Sequence, residues 1–194
     1  QDVIGVLPTG AGKSLCFQLP ALLRSGLTLI CSPLIALMRD QIDKLQEQGI
    51  EIAAALMSGQ SAAEREEILI RAQDGRLRLL YLAPERLRDP VVLVALANAH
   101  VRQVVIDEAH CVALWGPSFR PDFLALPQVY ARLAKRPPVA AFTATATPAI
   151  TEAITAGLQL NKPKLIRAPI DRPNLRLVVF DSEHRYQPIH SKTE

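Results

Sequence analysis

The residues that could do chemistry begin at the start of the chain. Pro8, Thr9, Gly10, Ala11, Gly12, Lys13 and Ser14 follow directly on an apolar run, residues 3–7. That order is a strand running into a glycine-rich loop that opens a helix, and it builds a cradle for a polyphosphate. Glycines carry no Cβ, so the loop's backbone N–H groups can turn inward. The helix behind them points its positive end at the anion. Thr9, Gly10, Ala11, Gly12, Lys13 and Ser14 are thus the candidate nucleotide-binding set. Lys13 can reach the terminal phosphates, and the Ser14 hydroxyl can ligate Mg²⁺. The strict pattern G-x-x-x-x-G-K-[ST] asks for glycine where this chain has Leu7, so by spacing alone the match is imperfect.

Asp107 and Glu108 follow Val104, Val105 and Ile106. An acidic group at the tip of a buried strand can hold Mg²⁺ beside Ser14. The next carboxylate can orient and deprotonate an attacking water. With a phosphate loop upstream, the pair supplies a metal ligand and a base for phosphoryl transfer to water. Alone, the same two residues are more often a solvated turn. His110 and the threonines of residues 143–147 are further polar groups after strands. They could connect the nucleotide to whatever else binds, or, with Thr147 as cap, simply start a helix.

Residues 115–123 hold three of the chain's nine aromatics (five Phe, three Tyr, one Trp), together with Arg120 and two prolines. A proline-bearing loop displaying Trp115, Phe119 and Arg120 suits stacking on unpaired bases. Phe123 is as easily an anchor onto the domain. Arg39, Arg86 and Arg88 follow strand ends and could meet phosphates, although surface arginine is common.

The elements that must position these groups alternate along the chain. Strand-like runs lie at 2–7, 27–31, 51–56, 77–82, 101–106 and 139–142. Helical periodicity or start signals mark 13–24, 34–48, 62–73, 124–135 and 149–158. Ser61 and Glu64 form a capping-box signature, and Thr147-Pro148 reads as an N-cap with proline at the first helical position. Alternation of this kind predicts an α/β fold, a parallel sheet with helices on both faces. Each polar cluster falls after a strand, at the carboxyl edge where such sheets bind ligands. After Leu160 the texture changes. Pro163, Pro169 and Pro173 interrupt it, which predicts a linker leaving the domain and a polar tail.

Composition narrows the class without choosing the function. The chain has 194 residues, 49% hydrophobic and 21% charged, with a net charge of +3. That is one domain's worth of core, and a charge too small to prove or exclude a nucleic-acid partner. No run of 18 apolar residues occurs, so no membrane span is expected. Cys16, Cys31 and Cys111 are far apart with no C-x-x-C pair. They read as buried free thiols in a reducing compartment, not as a zinc site. The absence of an initiating Met predicts a piece excised from a longer protein.

Residues 7–16, 32–41, 82–87, 107–111, Trp115-Gly116 with Phe119-Arg120-Pro121, 142–147 and 171–175 together resemble RecQ-type superfamily 2 DNA helicases. The resemblance covers nearly the whole chain up to Leu175, and the missing first glycine is normal in that superfamily. It implies a RecA-like P-loop NTPase domain at residues 1–167, the first of two motor lobes. Residues 168–194 then lead toward a second RecA-like lobe. It implies an intracellular enzyme, in cytoplasm (bacterial nucleoid) or nucleus, that uses ATP and Mg²⁺ to move 3′ to 5′ on single-stranded DNA and separate duplex DNA. Lys13, Asp107, Glu108 and His110 would be catalytic, with Ser14 and Asp107 holding Mg²⁺. Ser32, Arg39, Pro84, Glu85, Arg86, Trp115, Phe119, Arg120, Thr143 and Thr145 would bind DNA or couple it to hydrolysis. The chain departs from the family at Leu114, where Gln is usual, and at Pro117-Ser118, where His-Asp is usual. An RNA helicase lobe or a catalytically silent DNA-binding module are the competing readings.

Overall fold

The computed structural model describes residues 1–114 and 121–169. Seven strands form one sheet: β1 (Val3–Val6), β2 (Leu27–Cys31), β3 (Ala53–Leu56), β4 (Leu79–Leu82), β5 (Val101–Ile106), β6 (Val139–Thr143) and β7 (Lys164–Arg167). Their order is β3-β4-β2-β5-β6-β1-β7, and every described pairing is parallel. Parallel neighbours need crossovers, and helices supply them. These are α1 (Lys13–Leu23), α2 (Ile35–Glu47), α3 (Ala62–Gln73), α4 (Pro90–Asn98), α5 (His110–Leu114), α6 (Leu126–Arg132) and α7 (Pro148–Gly157).

The central strands are buried on both faces, which is why they read as unbroken apolar runs. Adjacent residues still separate by face. Ile30, Leu79 and Val105 pack with Phe17 of α1 and with Met38, Ile42 and Leu45 of α2. Their neighbours Leu29, Leu80 and Val104 pack with Leu69 of α3, Val92 and Leu96 of α4, Val129 of α6 and Ile154 of α7. The two-residue period of the strand thus sorts one apolar string into two cores.

Helix starts follow their sequence signals. Ser61 Oγ accepts from the Glu64 N–H at 3.2 Å, and the Ser61 N–H donates to Glu64 Oε2 at 2.7 Å, so the capping box is complete. Thr147 Oγ1 accepts from the Ile150 N–H, with Pro148 opening α7.

Four expectations change. A seventh strand, β7, pairs with β1 where the chain reads as a linker. Its four residues are all exposed, so it lacks the buried pattern that marks the others. Helix α4 and the 3-10 segment Pro84–Arg88 occupy a stretch assigned no element. The helix expected over 124–135 is shorter, preceded by the 3-10 turn Pro121–Ala125 and ended at Arg132. Cys16 is exposed, while Cys31 and Cys111 are buried.

One residue beside the chain start holds the sheet's far edge together. Asp2 is 2% exposed and accepts from Arg136 Nη1 and Nη2 at 3.1 and 2.7 Å, and from the Val139 and Asn161 amides. Burial opposes ionisation of Asp2, but the Arg136 pair and the two amides prevail and hold its carboxyl below the ordinary value of 3.8.

Candidate functional site

The five polar clusters follow β1, β2, β4, β5 and β6. In the sheet these strands are contiguous, in the order β4-β2-β5-β6-β1. Sequence-distant motifs therefore share one carboxyl edge.

The phosphate loop owes its shape to two glycines in the left-handed region, Gly10 at φ 82° and Gly12 at φ 77°. Gly12 caps α1, no side chain fills the cap, and no acidic residue lies in the first turn. The first amides of α1 are left for an external anion. Lys13 Nζ lies 3.3 Å from the Leu7 carbonyl oxygen and 3.5 Å from that of Pro8, folded over the loop. Ser14 is half-buried in the next position.

Asp107 stands across from this loop, 8% exposed at the tip of β5. Burial, and then the negative Glu108, push its carboxyl above the usual range. The Glu108 N–H, donating to Asp107 Oδ1 at 3.0 Å, and the nearby Lys13 ammonium only partly offset this. Ser32 Oγ is buried beside the same carboxylate and eases its ionisation without forming a hydrogen bond of good geometry. A buried carboxylate this poorly compensated, facing a lysine and a serine hydroxyl, suits a hard cation with oxygen ligands. ATP with Mg²⁺ fits the residues present: amides and an ammonium for phosphates, hydroxyl and carboxylate for the metal.

Glu108 has φ 50°, in the left-handed region. For a non-glycine residue that conformation costs on the order of 1–3 kcal/mol. Its side chain joins a polar chain. His110 Nδ1 lies 3.2 Å from Glu108 Oε2 and 3.1 Å from Thr143 Oγ1. Thr143 Oγ1 donates to the Thr145 carbonyl at 3.0 Å and accepts from the Thr145 N–H at 3.3 Å. With the proton on His110 Nδ1, one N–H shared between Thr143 Oγ1 and Glu108 Oε2, the hydroxyl uses its one donor and both lone pairs. The tips of β5 and β6 are thereby tied together: Glu108, His110, Thr143, Thr145.

The residues expected to touch DNA divide by burial. Arg39, Glu85 and Thr145 are exposed on the edge. Ser32, Pro84 and Thr143 are buried at the same edge. Arg86 Nη2 donates to the Met57 carbonyl at 2.6 Å, so part of its guanidinium holds a loop. Arg88 pairs with Asp122. Phe123 is 0% exposed, an anchor in the core. Trp115, Phe119 and Arg120 lie outside the described residues, as do residues 170–194.

Sequence reasoning missed a sixth loop on this edge, residues 57–60 after β3. Gln60 closes it, accepting from the Met57 N–H at 2.8 Å and donating to the Ala55 carbonyl at 2.9 Å. Ser58 Oγ donates to Glu85 Oε1 at 3.2 Å. The strand-end rule that found the other five would have found it, since Leu56 ends β3.

A model of the DEAD/DEAH box helicase family matches residues 1–153. The ATP-dependent DNA helicase RecQ of Bacillus subtilis is 40% identical over 185 residues, 95% of this chain and 31% of that protein. RecQ of Synechocystis is 44% identical over 184 residues, 92% of this chain and 38% of that protein. The chain thus spans about a third of the length of these curated relatives. The crystal structure of the yeast DEAD-box splicing factor Prp28 covers 90% of this chain and 43% of its own, with a TM-score of 0.66 at 24% identity. That likeness shows the RecA-like fold. The chain belongs to the DEAD/DEAH box helicase family and is homologous, over nearly its whole length, to the first helicase lobe of the RecQ ATP-dependent DNA helicases.

Proposed function

We propose that this chain is the first motor lobe of an ATP-dependent 3′–5′ DNA helicase, acting inside the cell with a second RecA-like lobe beyond residue 167. The observation that carries the reading is the facing of Lys13 and Asp107 across one sheet edge, with Glu108 tethered through His110 to Thr143. Backbone amides of residues 9–14 and the Lys13 ammonium bind the phosphates. Ser14 and Asp107 would hold Mg²⁺, which when bound would supply positive charge beside the phosphates. Glu108, fixed in its left-handed conformation, aligns the attacking water and takes its proton. His110 and Thr143 keep that carboxylate in place and link it to Thr145 on the exposed edge. Arg39 and Glu85 lie along the path proposed for the DNA, with Trp115, Phe119 and Arg120 as the stacking and coupling group.

The test is steady-state ATP hydrolysis by the full-length protein, with single-stranded DNA, with RNA of equal length, and with neither. DNA should stimulate turnover more than RNA does. Lys13→Ala and Glu108→Gln should abolish it. Turnover indifferent to DNA would refute the coupling. The 194-residue chain alone should turn over almost nothing, because an arginine finger supplied from elsewhere contributes on the order of 10³–10⁵ in rate.

A further inference from the structure

Two glutamines and a tyrosine meet where α1, α2 and β4 come together, and take no part in the chemistry above. Gln18 of α1 donates from Nε2 to Gln41 Oε1 of α2 at 2.7 Å and to the Tyr81 hydroxyl of β4 at 2.8 Å. Tyr81 is 2% exposed, and burial pushes its phenol up to about 12, so it stays protonated at neutral pH. Phe17, beside Gln18, packs edge-on against the Tyr81 ring at 6.5 Å and tilted against Phe142 of β6 at 5.8 Å.

The three elements joined at Gln18 lead to different business. Helix α1 begins with Lys13 and Ser14. Helix α2 carries Arg39 near its start. Strand β4 ends at Leu82 and feeds the Pro84–Arg88 segment. One amide side chain therefore ties the phosphate-loop helix to the two elements that carry the proposed DNA edge. Around it the contacts between α1, α2 and the sheet are apolar. Apolar helix contacts permit small sliding displacements, whereas a hydrogen bond weakens steeply once its angle or length is lost. Any shift of α1 on filling the phosphate loop would therefore be felt at α2 and β4 through Gln18.

We propose that the Gln18–Gln41–Tyr81 cluster is a positioning device that couples occupancy of the phosphate loop to the placement of α2 and the Pro84–Arg88 segment along DNA. It rests on the functional reading above, and Gln18 and Tyr81 are positioning residues that touch neither ligand.

The experiment measures affinity of the full-length protein for a fluorescent single-stranded oligonucleotide. It is done without nucleotide and with a non-hydrolysable ATP analogue plus Mg²⁺, for wild type, Gln18→Leu and Tyr81→Phe. Gln18→Leu keeps the volume and deletes both bonds. Tyr81→Phe deletes one and keeps the ring on Phe17. In wild type the analogue should change DNA affinity by about fivefold or more. In Gln18→Leu that ratio should fall to within about twofold of unity, with each separate affinity kept within about twofold. Tyr81→Phe should lie between. Linkage is reciprocal, so DNA must lose its effect on analogue affinity by the same factor. Gln18→Leu retaining the wild-type ratio overturns the proposal. So does a ratio lost only because one separate affinity has collapsed, the signature of a purely structural role. If Gln18→Leu does not fold, Tyr81→Phe decides, and a wild-type ratio there overturns the proposal. Wild type that binds both ligands without mutual influence overturns the coupling alone. Wild type that binds neither overturns the functional reading and the coupling with it.

Discussion

Thr143 offers a sharp test of how the functional edge is wired. Its side chain is 0% exposed, and its hydroxyl meets His110 Nδ1 at 3.1 Å, the Thr145 carbonyl at 3.0 Å and the Thr145 N–H at 3.3 Å. Thr143→Val keeps the shape and removes all three contacts. A typical intramolecular hydrogen bond contributes about 0.5–1.5 kcal/mol net. Thr145 is exposed and His110 is half-buried, so water recovers part of what is lost. The remaining destabilisation is about 1–3 kcal/mol. Urea unfolding of the 194-residue chain, followed by circular dichroism, reads it directly. With a slope of about 2 kcal/mol/M, the midpoint should fall by about 0.5–1.5 M at unchanged slope. A shift under about 0.2 M would mean that the Thr143 hydroxyl does not tie the two strand tips together, since a buried hydroxyl with that many partners cannot be idle. Hydrolysis by the full-length protein should fall too, because His110 then holds Glu108 without an anchor on β6.

Three other substitutions test the remaining parts. Asp2→Asn should destabilise by about 2–3 kcal/mol, because it breaks a buried pair with Arg136 while leaving that partly exposed cation some access to water. Asp2 titrates below its unfolded value of 3.8, so its contribution is complete above 3.8 and is lost as pH falls through the lower folded value. Urea midpoints measured down an acid series should show that loss in wild type and not in Asp2→Asn. Asp107 has the opposite sign. Its folded carboxyl titrates above 3.8, so its ionised form costs stability once pH exceeds 3.8, and the cost is full above the folded value. Asp107→Asn should therefore raise the thermal midpoint of the nucleotide-free chain at neutral pH, not at strongly acid pH, while abolishing Mg²⁺-dependent ATP hydrolysis by the full-length protein. Gly12→Ala meets no atom within 4 Å but must adopt φ 77°. It should cost about 1–2 kcal/mol in chemical unfolding and lose affinity for an ATP analogue.

The parallel α/β fold was legible because its strands are apolar on both faces, and only a sheet covered on both sides calls for that. The helix starts at Ser61 and Thr147 were legible because a capping side chain is a local device, complete within four residues. Strand β7 was not. Its residues are exposed, so nothing in Lys164–Arg167 alternates or clusters, and only its pairing with β1 makes it a strand. Helix α4 lacks a polar face, which hides helical periodicity, although Asp89, whose carboxylate accepts from the Val91 N–H at 2.9 Å, and Pro90 together are a start signal that could have been used. At the site, the residue types carried the chemistry but not the depth. The resemblance put Ser32 and Thr143 among the residues that bind DNA or couple it to hydrolysis, without indicating that both are buried. Their burial follows from packing between neighbouring strand tips, which no single stretch of sequence contains. The Gln18–Gln41–Tyr81 contact spans 63 residues and has no local mark at all.

Everything proposed here requires that a nucleotide and its metal lodge between the start of α1 and the tip of β5. The direct measurement is a crystal structure of the chain grown with a non-hydrolysable ATP analogue and Mn²⁺ in place of Mg²⁺, read by anomalous scattering. Phosphates should lie against the amides of residues 10–14 and the Lys13 ammonium, with the manganese peak between Ser14 and Asp107. Phosphates seated elsewhere, or a manganese peak away from Asp107, would contradict it.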